Sequence, residues 1–218
     1  MKKLKKLFSL FLISVFLISI APSFEIRGKS AFSGSLQFHE NGKFVVMQIT
    51  DIQSSSAANL NSRVVNLIKN AIDRHQPDLV IFTGDNQTGG STAYKGVIDK
   101  FLKPLLDSDT KFAVTFGNHD HEAGVSRDTQ YNYYKTKGGD LFIDHDVPVL
   151  SGSGSGVIPI YPYGQNQGTP AFQLYVMDSG SYPNNNSSNG YDSPYTDQID
   201  YYIQRSLQYP NVPSLWYM

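Results

Sequence analysis

The chain has 218 residues, room for one well-sized hydrophobic core and at most one or two domains. Hydrophobic residues make up 40% and aromatic residues 13%, which excludes a generally disordered chain; the absence of cysteine excludes disulfides, thiolate metal sites and a cysteine nucleophile. The formal charge is −1, and setting aside Lys2, Lys3, Lys5 and Lys6 leaves 14 basic against 19 acidic residues, so charge gives no basis for a nucleic-acid or anionic-membrane partner.

The N-terminus is basic through Lys6, and Leu7 to Ile20 is an uncharged apolar run of 14 residues. Such a run suits a signal peptide better than a membrane span, which needs about 20 residues. Ala21 and Ser23 supply the small pair for cleavage after Ser23. The expected organisation is a signal peptide over 1–23 and one domain portion over 24–218. The protein would then be secreted or in the cell envelope, with no membrane attachment after cleavage. Lack of cysteine in an exported chain leans toward a bacterial product.

Leu36 to His39, the turn Glu40-Asn41-Gly42 and the strand from Phe44 read as a hairpin, because Asn-Gly tolerates the positive φ of a type I′ turn. His39 falls on the outside. Val64, Val65, Ile68, Ala71 and Ile72 form a helical stripe within Asn61–His75, stopped by Pro77. A strand from Asp78 to Thr83 follows, then a helix starting near Ser91-Thr92 with Pro104 expected to kink or break it. The strand Phe112 to Phe116 completes a β-α-β-α-β order, for which adjacent parallel strands and right-handed crossovers are expected. Further on, Ser126 caps a short helix to Lys137, and the Ser-Gly repeat of residues 151–156 reads as a flexible loop. Ala171 to Met177 is a strand. Residues 184–190 are a polar surface loop. Thr196 caps a helix with Ile199, Ile203 and Leu207 on one side, and Val212 to Met218 begins another strand.

Three strands in this order each deliver metal-ligating side chains at the carboxyl end: Asp51 and Gln53, then Asp85, then Asn118 and His119. Open α/β sheets place their chemistry at that end. Two divalent ions about 3.5–4 Å apart need one anionic ligand between them, and Asp85, on the middle strand, is placed to bridge. Such ions acidify a shared water and offset charge on a phosphoryl group, while His119 could protonate the leaving oxygen. Any one strand-end aspartate alone is more often a turn former or cap; three in order carry the argument. His121-Glu122 could line the site, Asp144-His145-Asp146 could hold a surface metal, and some of the 14 tyrosines could stack on a sugar or base.

These residues resemble the calcineurin-like metallophosphoesterases, in the branch related to purple acid phosphatases. That family's pattern is Asp-x-His, Gly-Asp-x-x, Gly-Asn-His-Asp/Glu, a lone His and Gly-His-x-His. The chain matches at Asp51, at Gly84-Asp85 and at Gly117-Asn118-His119-Asp120. The resemblance implies an α/β fold: a β-α-β-α-β start of a two-sheet sandwich flanked by helices. It implies hydrolysis of phosphate mono- or diesters, on small-molecule or nucleotide substrates, with two divalent ions drawn from Mn, Fe, Zn or Mg. By the same resemblance Asp51 belongs to the first ion, with Gln53 standing where that ion's histidine would be, Asp85 bridges, Asn118 serves the second, and His119 is the catalytic histidine. Two departures stand out. Gln53 replaces the histidine of Asp-x-His, which favours harder ions such as Mn, Mg or Ca or leaves the position to water. The lone His and Gly-His-x-His are absent, so the chain is expected to be an incomplete fragment with weak or no turnover. Gln53 also leaves open an exported, non-catalytic glycan- or nucleotide-binding protein with a decayed metal site.

Overall fold

A computed structural model describes residues 35–89, 93–183, 188 and 190–218. The expected signal peptide, the expected helix start at Ser91-Thr92 and most of the loop over 184–190 lie outside these residues. The strands are β1 (Leu36–Gln37), β2 (Val46–Ile49), β3 (Leu79–Thr83), β4 (Phe112–Thr115), β5 (Gly156–Tyr161), β6 (Phe172–Val176) and β7 (Ser214–Tyr217). The helices are α1 (Ser62–His75), α2 (Tyr94–Asp107), α3 (Arg127–Gly138) and α4 (Thr196–Gln208). Among the described residues no helix is long and apolar enough to cross a membrane.

Two sheets face each other. One is parallel, in the order β2-β3-β4, with β3 in the middle; the other is mixed, in the order β1-β5-β6-β7. The period-2 pleat of β3 explains how they stack. Leu79 and Ile81 point between the sheets, onto Ile158, Ile160, Leu174 and Val176. Val80 and Phe82 point the other way, into a core with Ile68 and Ile72 of α1, Phe101 and Leu102 of α2 and Tyr134 of α3. A third cluster, Tyr175, Met177 and Tyr201 with Trp216 against it, seats α4 on the outer face of the mixed sheet. The expected α/β sandwich flanked by helices is therefore present.

Local chemistry sets the boundaries. The Asn61 side chain accepts from Arg63 N–H at 2.9 Å and starts α1, while Gln76 takes a left-handed φ of 45° ahead of Pro77. Ser126 accepts from Thr129 N–H at 3.1 Å and starts α3. The helix α2 runs through Pro104 to Asp107 instead of breaking there.

Three expectations are corrected. The turn at Gly42 forms, with Gly42 N–H donating to His39 O and His39 N–H to Lys43 O, both at 2.9 Å, but beyond that bond its arms do not continue as a hairpin. Instead β1 joins β5 and β2 joins β3, so the turn crosses from one sheet to the other. Asp78 fixes that crossing by accepting from Val45 N–H at 2.7 Å and from exposed His39 at 2.6 Å. The Ser-Gly repeat is not a free loop: Ser153 N–H donates to Asp178, Gly154 and Ser155 N–H to Asp146, and Ser153 and Ser155 are buried. Small residues are needed there for close approach, which composition alone reads as flexibility. Finally, Ile199, Ile203 and Leu207 share a side of α4 but are 44%, 47% and 75% exposed. The buried face is built on Gln198 and Tyr201, and the N-cap is Tyr195, not Thr196. Gln198 can be buried because its two amide N–H groups are shared among Ser151 O, Ser155 Oγ and Asp178 O at 2.7, 3.0 and 2.8 Å, and its Oε1 accepts from Tyr195 N–H.

Candidate metal centre

Parallel pairing brings the ends of β2, β3 and β4 side by side, and the backbone stays bonded beyond the strands. Asp51 N–H donates to Gly84 O at 3.2 Å and Gln53 N–H to Asp85 O at 2.9 Å. Asp51, Gln53 and Asp85 all hold left-handed φ values, 59°, 44° and 50°. Such backbone is costly for residues with side chains and persists where surrounding bonds over-determine it. Two glycines make the approach possible. A Cβ on Gly84 would lie 2.1 Å from Gly117 N, and one on Gly117 would lie 2.3 Å from Asp85 Oδ1. Asp85 consequently lies against the Gly117-Asn118-His119 turn and accepts from His119 N–H at 2.8 Å.

Asp120 holds this turn from beneath. Its carboxylate is fully buried and accepts from four backbone N–H groups: Asp85 and Gly117 at 2.8 Å, Asn86 at 3.0 Å and Gln87 at 3.1 Å. Burial pushes the carboxyl up to about 7, against the downward pull of the Gly117 and Gln87 N–H groups. Its backbone carbonyl is held in turn by Gln130 at 2.7 Å.

Two further contacts orient the candidate functional groups. Asn118 donates its amide N–H to Tyr182 OH at 2.8 Å, which leaves the amide oxygen available as a ligand. His119 Nδ1 meets Glu122 Oε1 at 2.7 Å, and the other carboxylate oxygen accepts from Thr88 Oγ1 and Gly89 N–H, both at 3.0 Å. The bond to Glu122 raises the His119 pKa; slight burial opposes it, and Asp85 and Asp120 add to it. Burial would raise the Glu122 carboxyl, but its bonds from Gly89, His119 and Thr88 outweigh that and hold it below its ordinary value.

Residues 44–209 match the calcineurin-like phosphoesterase family. The chain belongs to that family. A probable inactive purple acid phosphatase of Arabidopsis thaliana, number 29, is 26% identical over 215 residues, covering 88% of this chain and 54% of that protein. Phosphatase DCR2 of Saccharomyces cerevisiae is 24% identical over 171 residues, covering 67% of this chain and 28% of its own length. The chain thus spans about half the length of the first of these relatives, 54%, and less of the second. Among solved structures, a dimetal phosphatase from Danio rerio aligns over 77% of this chain and 53% of its own, at 16% identity and a TM-score of 0.42.

For a phosphoesterase of this family the donor set here is sparse. Among the described residues, no group of three or more His, Cys, Asp or Glu side chains is close enough to hold a metal. Asp85, Asn118 and Gln53 meet at the turn contact, while the Asp51 carboxylate accepts from its neighbour Thr50 Oγ1 at 2.7 Å. Aspartate and amide oxygens suit a hard divalent cation, and the imidazole or thiolate a softer one prefers is not among them. Gln53 turns its amide nitrogen toward Asp85 Oδ2, 3.4 Å away, so here it faces the carboxylate as a donor. Asp144-His145-Asp146 is no metal site: His145 is buried with both ring nitrogens against the carbonyls of Ile143 and Gly154, and Asp144 pairs with Lys135.

Sequence reasoning expected Glu122 only to line the site and missed its bond to His119, along with the roles of Asp120 and Arg127. Glu122 sits three residues after His119 in a 3₁₀ turn, a spacing that could have marked it as a partner. Asp120 stands inside the recognised motif, but nothing in the sequence told its structural role from a ligand role. Arg127, which bonds Asp178 at 2.7 Å, Gly117 O at 2.7 Å and Gly180 O at 3.1 Å, pairs across 51 positions and left no sequence signal.

Proposed function

We propose that this phosphoesterase-family chain carries the N-terminal ligand set of a metal-dependent hydrolase of phosphate mono- or diesters. The observation that supports this best is the contact between the Gly84-Asp85 and Gly117-Asn118-His119 turns, which puts the Asp85 carboxylate under the His119 N–H at 2.8 Å. Asp51, Asp85 and the Asn118 amide oxygen would hold divalent ions, Mn or Mg in preference to Zn or Fe. Bound ions of this kind offset phosphoryl charge and acidify water. The chain's own contribution is preorganisation. Asp120 and the two glycines fix the turns, Tyr182 fixes the Asn118 amide, and Glu122 holds His119 by Nδ1. His119 then keeps a proton on Nε2 to offer the departing oxygen. We further propose that residues 1–23 direct export, which N-terminal sequencing of the mature protein would check.

The lone His and Gly-His-x-His of the family pattern do not occur in this chain, so few donors are present and weak ion binding is expected from it. Calorimetric titration with Mn, beside hydrolysis of a chromogenic phosphate, tests the reading. Asp85→Asn should abolish measurable Mn binding and lower any turnover by orders of magnitude. A second reading, a non-catalytic binding protein with a decayed site, is favoured by the donor pose of Gln53 and by relatives named as inactive. Under that reading Asp85→Asn changes neither quantity.

A further inference from the structure

The proposed ion ligands open onto an aromatic surface. Tyr182, whose hydroxyl holds the Asn118 amide at 2.8 Å, stacks on Tyr191 with ring centroids 5.6 Å apart and planes 29° from parallel. His121 stands edge-on to Tyr182 at 5.7 Å. Tyr191 is 73% exposed and lines a cavity of about 240 Å³ together with Asp85 and Asn118. Tyr182 and His121 line a neighbouring cavity of about 470 Å³, and Asp192 borders both. An exposed tyrosine ring stacked on a half-buried one is not accounted for by core packing. It lies at the place where the ester's organic group would sit while its phosphate met Asp85 and Asn118.

We propose that Tyr182 and Tyr191 form a stacking platform for the leaving group. The preferred substrate is then a phosphate ester carrying a flat, uncharged ring a few bonds from phosphorus, an aryl phosphate or a nucleoside monophosphate. This deepens the phosphoesterase reading and rests on it. Polyol phosphates lack a π-face to stack. Nucleoside triphosphates are disfavoured by charge. No lysine lines either cavity among the described residues, and Arg127, at the edge of the second, is already bonded to Asp178, Gly117 O and Gly180 O. Asp192 and Asp128 instead add negative charge.

The test is ligand-observed NMR titration of the full chain with Mn present, using adenosine monophosphate, 4-nitrophenyl phosphate, glycerol phosphate, adenosine triphosphate and adenosine. The two ring-bearing monophosphates should bind on the order of tenfold tighter than glycerol phosphate, the scale of one ring stacked on an aromatic side chain. Tyr191→Ala should erase that preference and Tyr191→Phe should keep it. Tyr182 is left intact because it also holds Asn118. Glycerol phosphate or adenosine triphosphate binding as tightly as adenosine monophosphate, a preference surviving in Tyr191→Ala, or no binding by any ring would overturn the platform. Adenosine binding as tightly as its monophosphate would instead overturn the underlying phosphoesterase reading, leaving a nucleoside-binding surface. Preference for only one of the two ring-bearing esters would say which ring the platform serves, and counts in its favour.

Discussion

Asp120 and Asp178 are both fully buried beside strand ends, yet one is satisfied by backbone alone and the other by a cation. Asp120 accepts from four N–H groups, all from the turns after β3 and β4. Asp178 follows β6 in the other sheet and accepts from Arg127 at 2.7 Å, Ser153 N–H at 2.9 Å and Gly180 N–H at 3.0 Å. Arg127 also reaches Gly117 O, so this second network spans both sheets. The difference separates two jobs. Asp120 sets the internal geometry of the candidate ligand turns, whereas Arg127 and Asp178 set how the second sheet's loops stand over them.

The largest effect should come from Asp120→Ala, which strands four N–H donors at once, two of them buried and two part-buried. Urea unfolding should show a loss of about 3–5 kcal/mol, with Mn binding lost as well. Arg127→Met comes next. It leaves the Asp178 carboxylate buried without its cation and should cost about 3 kcal/mol, partly recovered in Arg127→Met/Asp178→Asn. Here the Asp85–His119 contact should survive, so residual Mn affinity should persist. If both single variants lost ion binding equally, the division of labour would be wrong. A smaller effect, about 1 kcal/mol, is expected for Ser126→Ala, which removes the cap that starts α3 just ahead of Arg127.

The sequence was legible wherever one physical rule acts locally. The β-α-β-α-β order followed from apolar runs and helical stripes, and so did the placement of Asp51, Asp85 and Asn118 just beyond the ends of three adjacent strands. It was illegible where the deciding partner is distant. Nothing near Gly42 says that its two arms pair with different sheets; Asp78, 33 residues from Val45, decides that. The Ser-Gly repeat reads as a linker until Asp178, 25 residues on, is found bonded to Ser153. The stripe of α4 misled for a related reason. Hydrophobic period marks a buried face only when burial is apolar, and here the buried face is anchored by Gln198, an amide with three acceptors around it.

The mildest test sets these buried carboxylates against a half-exposed one. Glu122 is bonded to His119 at 2.7 Å, with side chains 31% and 34% exposed, so solvent screens the pair. Its effect should appear in titration more than in stability. The folded-state pKa of His119 lies above the ordinary 6.5, so its stabilising contribution is present below 6.5 and is lost as pH rises through the folded value. Glu122 lies below its ordinary 4.5, so its contribution is present above 4.5 and is lost as pH falls through the folded value. The pair is therefore fully engaged between those two limits. In the metal-free chain, the His119 ring resonance should titrate above 6.5, and in Glu122→Gln its midpoint should move down toward that value. An unchanged midpoint would mean that Asp85 and Asp120, not Glu122, hold the proton on His119, and would tie the histidine to the ligand turns instead of to the 3₁₀ turn that follows them.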